Sequence, residues 1–586
     1  MDSNKDLGSK EKITTDRPLK YFHRILSEKV LGQPSRYETI GHEELPLELE
    51  GFPGIKPEDN PCDPKKWFLT EAELYQRNWK LFNCNHAYTS LNLVTPLIDG
   101  ESYMIALHNC LNEMRKQDYI NIVGWNIAKG TQLLGRRTET KFVDLLALCG
   151  MRGITIRVLV NDFYHLLKAL KSLTPFYQNE EFVKSLLEMT EGYDTVEAFV
   201  DNRYILPQEG VFPIGSHHQK AVILTAKNKC VAFVGGIDIG DDRFDSPEHL
   251  SPKQNPQREK VYMAGWHDIQ LKVQGSATQQ IWANFVERWN DSTAPNSNKP
   301  SMHPKPIALE EMPPVKDCGS HHVQVLRTFA CPRNSSYPSF PFLQGGEQTV
   351  RAGLIKAIRR AQCYIYIEDQ YFWASELLDE IAKTNPRVKI ILVLSRDMDV
   401  PGYGKWQSEV RADAFAKINS NGHGVNRVFA YHLQHVDKKS VIYVHSKLMI
   451  IDDRYVSVGS ANIAYRSTTT DTELTLAVVD AQTTANGKMD YAQQERCVFA
   501  RDLRMTLWAE HLNVRKELLD DPIDALSNHW PKYEPSPKKP ARKHHVVCHY
   551  PGVDASKRYK NLKPNSILNP ELPSYYCPPS DVPLDE

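Results

Sequence analysis

Two apolar patterns alternate along the chain. Short continuous runs at 119–125, 154–160, 363–368, 388–394 and 474–479 read as strands buried on both faces. A further strand is expected over 266–273. Stretches at 102–116, 140–149, 277–289, 350–360 and 377–383 carry apolar residues at helical spacing and read as amphipathic helices. Strands alternating with helices predict an α/β layered fold.

The pattern also repeats. Residues 76–300 run helix, strand, helix, strand, hairpin, strand, helix, and residues 346–515 follow the same plan. The hairpins carry the clearest copy. His217-His218-Gln219-Lys220 leads into Ala221-Val222-Ile223-Leu224, a turn, and a second strand ending Gly235-Gly236-Ile237-Asp238. His445-Ser446-Lys447 leads into Leu448-Met449-Ile450-Ile451-Asp452, a turn, and Gly459-Ser460-Ala461-Asn462. Gly235 answers Gly459, and Asp238 answers Asn462. Two H-x-K units on matched frames indicate a duplicated half-domain with its shared site between the halves. The motif regions lie at 212–239 and 440–467.

Outside the halves the pattern fades. Residues 1–75 are polar and rich in Pro and Gly, an irregular arm with one helix expected over 21–31. Residues 301–345 read as a linker of loops. Residues 516–586 are proline-rich, with a basic patch at 538–543, and read as a solvated tail or as a strap across the body.

Composition narrows the class. The net charge of −1 over 586 residues gives no global basic field, so nucleic acid is not an expected partner. The 11 cysteines are scattered and form no C-x-x-C pair, which argues for reduced thiols. Neither a signal-peptide core nor an 18-residue apolar run occurs, so a cytoplasmic or peripheral membrane protein is expected. A bacterial effector exported without a signal peptide fits the same pattern.

Alternate residues of a strand share a face, so His218 pairs with Lys220 and His445 with Lys447. An imidazole beside a fixed ammonium suits a phosphate: one attacks or protonates, the other holds negative charge. No carboxylate or cysteine pattern joins His217 and His218, or His321 and His322, into a metal site, so no metal or cofactor is expected.

Both H-x-K units, with GWHD at 265–268 and IEDQYF at 367–372, resemble the phospholipase D superfamily, in its two-motif single-chain branch, over roughly residues 85–515. The resemblance implies two pseudo-symmetric α/β/α sandwich halves with mixed sheets packed face to face. It implies hydrolysis of a glycerophospholipid through a phosphohistidine: His218 attacks phosphorus, and His445 protonates the leaving alcohol and then activates water. An alcohol in place of water gives transphosphatidylation. The expected partner is phospholipid at a membrane surface, met by a monomer.

In the family a carboxylate on the strand after the hairpin fixes each histidine's tautomer. Matching the strands points to Asp268 for His218 and Asp471 for His445, with Glu473 competing for the second role. The alternative is that these acids cap strands or pair with the nearby Arg243 or Arg466. Asp238 and Asn462 are expected to orient phosphate or lysines, Ser460 to donate to phosphate, and Glu368 to sit at the site from a strand end. Thr225 stands where the second motif has Asp452. Asp452 falls on the opposite strand face from His445 and Lys447, so it is read as a structural partner of the turn with Arg454. Trp125, Trp266 and Trp373 are either faces for a choline cation or core, two of the three being read as core. The rival readings are a nuclease or phospholipid synthase of the superfamily, and a catalytically weakened lipid-binding protein.

Overall fold

The computed structural model describes residues 60–74, 87–135, 140–162, 178–201, 215–249, 265–292, 306–308, 311, 313–330, 340–343, 345–396, 404–420, 426–435, 442–484, 495–532 and 546–548. The helix expected over 21–31 and the basic patch at 538–543 lie outside these residues.

The first half runs β1 Thr89–Ile98, α1 Asp99–Glu113, β2 Tyr119–Gly124, α2 Phe142–Met151, β3 Thr155–Asn161, α3 Gln178–Met189, β4 Val196–Asp201, β5 Ala221–Ala226, β6 Lys229–Gly235, β7 Ile269–Gln274 and α4 Ala277–Ser292. The second runs β8 His321–Phe329, α5 Thr349–Arg359, β9 Tyr364–Asp369, α6 Ser375–Lys383, β10 Lys389–Leu394, α7 Gly404–Ser420, β11 Val428–Leu433, β12 Lys447–Ile451, β13 Tyr455–Gly459, β14 Glu473–Asp480 and α8 Val498–Leu512.

The halves share one topology. Their strand orders are β1-β7-β6-β5-β2-β3-β4 and β8-β14-β13-β12-β9-β10-β11. In each, three strands are parallel and the rest antiparallel, so the sheets are mixed. The parallel strands β2, β3, β9 and β10 are nearly all buried, which explains their unbroken apolar runs. β1 and β8 join the halves through the pairs Thr89–Val323 and Asn92–His321, so hydrogen bonding is continuous from one sheet to the other. Helix α4 packs on β1, β2 and β5–β7 of its own half and on β8 of the other, with Trp282, Phe285 and Trp289 buried.

Two segments depart from the expected organisation. The linker at 301–345 contains β8, which pairs with β14 from His321–Asp480 to Thr328–Glu473. Its polar residues Gln324, Arg327 and Thr328 are buried, which hid the strand from an apolar count. Arg327 is neutralised there by Glu287 and Glu347 at 2.5 and 2.6 Å. The tail from 516 begins as packed structure: Lys516–Leu519 is a 3-10 turn and Pro522–Asn528 a helix capped by Asp521, with Trp530 buried. Pro522 opens that helix, where a missing N–H costs nothing, instead of breaking structure. Strand Val546–Cys548 then pairs with the β11 edge.

Candidate active site

The two H-x-K segments meet where the halves cross. Immediately before β5, Gln219 is anchored from behind: its amide donates to Asn284 Oδ1 and to the Glu473 carbonyl, both at 3.1 Å, and its Oε1 accepts from Arg288 at 3.2 Å. His217 is tied to Asp201 and to Thr472 Oγ1, both at 3.0 Å. With 217 and 219 fixed on one side, the chain presents His218 and Lys220 to the junction.

Each half lays its H-x-K segment beside the acid-bearing segment of the other. Strand Ile442–Val444 pairs in parallel with Gly265–His267, and the His445 amide donates to the His267 carbonyl at 2.7 Å. Reciprocally, His217 bridges in parallel to Thr472, and the His218 amide donates to the Thr472 carbonyl at 3.0 Å. By this symmetry Asp268 corresponds to Glu473, not to Asp471.

The exchange corrects the expected carboxylate pairing. Asp268 Oδ2 stands 2.6 Å from His445 Nδ1, and Glu473 stands 3.1 Å from His218 Nδ1 through both oxygens. Each histidine is held by an acid from the other half. Asp471 holds neither: it accepts from the Ser216 amide at 2.7 Å and pairs with Arg466 at 2.8 Å. The expectation failed because it matched acids to histidines within a half, whereas the chain pairs them across the junction.

The lysines complete the site. Lys220 donates to the His218 carbonyl at 2.9 Å, lies 3.6 Å from Asp238 and sits 5.3 Å from the Trp125 ring centre. Lys447 donates to the His445 carbonyl and, at 3.3 Å, to Gln370 Oε1. Asp238 is itself fixed by the Asn126 amide at 3.1 Å.

Burial and like charge tune these groups. His218 and His445 are held well below the usual imidazole range, first by burial and then by lysine charge: Lys220 at His218 and Lys447 at His445. Burial also pushes Asp268 and Glu473 up to about 7 and Lys447 down to about 8. Such burial disfavours isolated charge and favours an anion beside the lysines.

Other expected residues sit elsewhere. Ser460 donates to Glu473 Oε2 and accepts from the Leu474 amide at 3.0 Å, so it seats the acid and is not aimed at phosphate. Glu368 is turned behind the site, 3.0 Å from both His267 Nε2 and His511 Nε2. Asp369 caps the Tyr371 and Ile463 amides at 2.7 and 2.8 Å. Asn462 is buried, and its Oδ1 has no hydrogen-bond partner among the described residues. Asp452 accepts from the Gln362, Cys363 and Tyr364 amides at 2.7, 2.9 and 2.7 Å, while Arg454 reaches Gln362 Oε1 at 3.2 Å. Gly236 has a steric role, since a Cβ there would meet Asp268 Oδ1 at 2.2 Å.

Behind Asp268 lies the one place near the site with the donors to hold a cation among the described residues. Asp99, His249, His267 and Glu510 bring ligand atoms within 4.8 Å of one another, as do His267, Glu368 and His511. Neither adjacent-histidine pair weighed in the sequence belongs to these sets.

Sequence reasoning missed Gln370 and the stacking partners of the tryptophans, of which Trp266 and Trp373 are buried. Trp266 packs 5.0 Å from the His445 ring and carries the Arg243 guanidinium 3.8 Å above it. Trp125 meets the His218 ring edge-on at 5.5 Å and is half-buried. Trp373 is buried and stacked on Tyr371 at 4.3 Å. Gln370 had a signal, lying in the same 367–372 stretch as Glu368. The place of Arg243 on Trp266 had none short of the fold.

A duplicated α/β frame with one composite site, in which two H-x-K units are completed crosswise by two acids, is the class of protein this structure defines. The chain belongs to the phospholipase D family, whose model, described as Phospholipase D, matches residues 113–391 and 418–539. It is 26% identical over 530 residues to phospholipase D gamma 1 of Arabidopsis thaliana, covering 69% of this chain and 61% of that protein. It is 27% identical to phospholipase D beta 2 of the same plant, covering 54% of this chain and 45% of that one. It is 26% identical to phospholipase D A of Dictyostelium discoideum, covering 57% and 30%. The chain thus spans about three fifths or less of the length of these relatives. A phosphatidylserine synthase structure from Haemophilus influenzae Rd KW20 aligns at 13% identity and a TM-score of 0.45, covering 70% of this chain and 87% of that one. Among the described residues no helix is long and apolar enough to cross a membrane.

Proposed function

We propose that the chain is a phosphodiesterase that hydrolyses a glycerophospholipid of the phosphatidylcholine type to phosphatidic acid and the free headgroup. The crossed pairs carry the reading: two imidazoles, each with Nδ1 on a buried carboxylate, beside two buried lysines. A carboxylate on Nδ1 leaves Nε2 as the reacting nitrogen. His218 attacks phosphorus through Nε2, the bond to the headgroup oxygen breaks, and His445, protonated once the bound phosphate anion offsets the lysine charge beside it, gives that oxygen its proton. His445 then takes a proton from water. The hydroxide attacks phosphorus, the P–N bond breaks, and His218 is regenerated. Lys220 and Lys447 hold the non-bridging oxygens.

The names of the relatives support the lipid substrate, and Trp125 beside His218 offers an aromatic wall. The chain meets the membrane at its surface, as a monomer.

The test is turnover of phosphatidylcholine vesicles with a short-chain primary alcohol present. Phosphatidic acid and the phosphatidyl-alcohol are both expected, and His218→Ala should lower both by about 10³-fold or more with its fold intact. Folded wild-type protein that makes neither product, or that cleaves nucleic-acid phosphodiesters instead, overturns the proposal.

A further inference from the structure

The two histidines of the site are equivalent in their frames but not in their neighbours. Asp268 corresponds to Glu473 across the pseudo-symmetry, so Trp266, two residues before the first, corresponds to Asp471, two before the second. At His445 the neighbour is therefore an indole, packed 5.0 Å from the imidazole. At His218 it is a carboxylate, and that carboxylate acts on His218 through its charge. The cations differ as well. Arg243 stands five residues after Asp238, its guanidinium 3.8 Å over the Trp266 ring, and it is buried. Arg466 stands four residues after the matching Asn462, half exposed and paired with Asp471.

Arg243 is held in place from several sides. It closes the 3-10 turn Asp241–Arg243, and its amide donates to the Gly240 carbonyl at 3.0 Å. Gly100 lies so close to the Arg243 carbonyl that a Cβ there would stand 1.8 Å from it. Two residues on, Asp245 accepts from the Trp266 amide at 2.7 Å, and its carbonyl accepts from the Glu101 amide at 2.8 Å. One loop thus fixes both the guanidinium and the indole beneath it. Arg243 pairs with Asp242, while its Nε is buried without a hydrogen-bond partner among the described residues. Trp266 also meets Tyr443 at 4.8 Å, on the strand that leads into His445. The charged groups around His445 are Asp268, Lys447, Lys220, His218 and Arg243.

We infer that Arg243, acting through Trp266, is a positioning residue that specialises His445 as the proton donor to the leaving alcohol and leaves His218 as the nucleophile. This rests on the phosphodiesterase reading. The flat guanidinium and the indole fix the plane of the imidazole, and the guanidinium adds a buried positive charge that the other histidine lacks. A cation beside an imidazolium makes it a stronger acid, which suits protonation of an alkoxide. The fold thus separates the roles of two equivalent histidines by setting a guanidinium-capped indole against His445 alone.

The test compares two leaving groups on the purified full chain. Phosphatidylcholine loses an alkoxide that needs a proton, and phosphatidyl-p-nitrophenol loses a phenolate that does not. kcat/KM covers only the steps up to release of the leaving group, so the later attack by water does not enter. Arg243→Gln should lower kcat/KM on phosphatidylcholine by about 30-fold or more and on the nitrophenyl ester by no more than about three-fold. Arg243→Lys keeps charge without the flat stack and should fall between wild type and Arg243→Gln on phosphatidylcholine. An equal loss on both substrates would mean that Arg243 only supports the fold, and no loss on either would remove it from the reaction. Either result overturns the inference. If Arg243→Gln does not fold, the ratio of the two losses in Arg243→Lys decides. Wild-type protein inactive on both substrates would overturn the phosphodiesterase reading itself, and this inference with it.

Discussion

The two acid seats do the same work with different atoms. In the first half Gly236 leaves an open space, and Asp268 fills it, taking the Ile269 amide directly at 2.8 Å. In the second half Ser460 occupies the matching position. Its hydroxyl takes the Leu474 amide and donates to Glu473, an acid one methylene longer. The backbone frames are equivalent, and the carboxylates meet the opposing imidazoles at 2.6 and 3.1 Å. The duplication has preserved the position of a carboxylate relative to a histidine, not the identity of the residue that provides it.

The strongest way to break this comparison is to test which acids matter. Glu473→Gln removes the negative charge that holds His218 and turns one of its two acceptor oxygens into a donor, so turnover should fall by about 10²-fold or more with the fold retained. Asp471, two residues away, hydrogen-bonds to Ser216 and Arg466 and holds neither histidine. Asp471→Asn should change kcat/KM by no more than about five-fold. Steady-state kinetics on the two variants decide it. The reverse ranking would mean that the pairing within each half, not across them, operates in solution.

The repeated plan was legible because its signals are local. Apolar runs at 154–160 and 388–394 mark the parallel strands, and the hairpins carry both H-x-K units within a few residues. What was not legible depends on contacts distant in sequence. Separations of 177 residues from Asp268 to His445 and 255 from His218 to Glu473 leave no spacing to read. Strand β8 was hidden because Arg327 is buried only in company with Glu287 and Glu347. Glu368 was placed at the site because it lies near a strand end. Its carboxylate is instead taken by His267 and His511 beneath the site, and Gln370, just past the strand, is the residue that reaches Lys447.

The turns of the two hairpins offer a second contrast. Asp452 holds three consecutive amides at the start of β9, whereas Thr225, the matching residue, pairs opposite Tyr119 and contacts Cys230 Sγ at 3.7 Å. Asp452→Ala should therefore strand buried N–H groups and cost about 3 kcal/mol, while Thr225→Val should stay within about 1 kcal/mol. Denaturant midpoints measure both. Equal losses would show that the first turn depends on its threonine as much as the second does on its aspartate.

The finest test concerns Ser460. Burial raises the Glu473 carboxyl to about 7, and the Ser460 hydrogen bond is the leading influence that lowers it. In Ser460→Ala the carboxyl should titrate higher still. A carboxyl whose folded pKa is raised contributes stability that is full below about pH 4 and lost as pH rises through the folded value. The stability deficit of the variant relative to wild type should therefore open as pH rises through about 7. Activity moves the other way: Glu473 must be ionised to hold His218, so the acid limb of kcat/KM should shift upward. A loss of about five-fold near pH 6.5 should shrink to about two-fold by pH 8.5. A pH profile reads this directly. A loss of the same size at every pH would reduce Ser460 to packing, and the two seats would then differ in shape but not in how they set the charge on their acids.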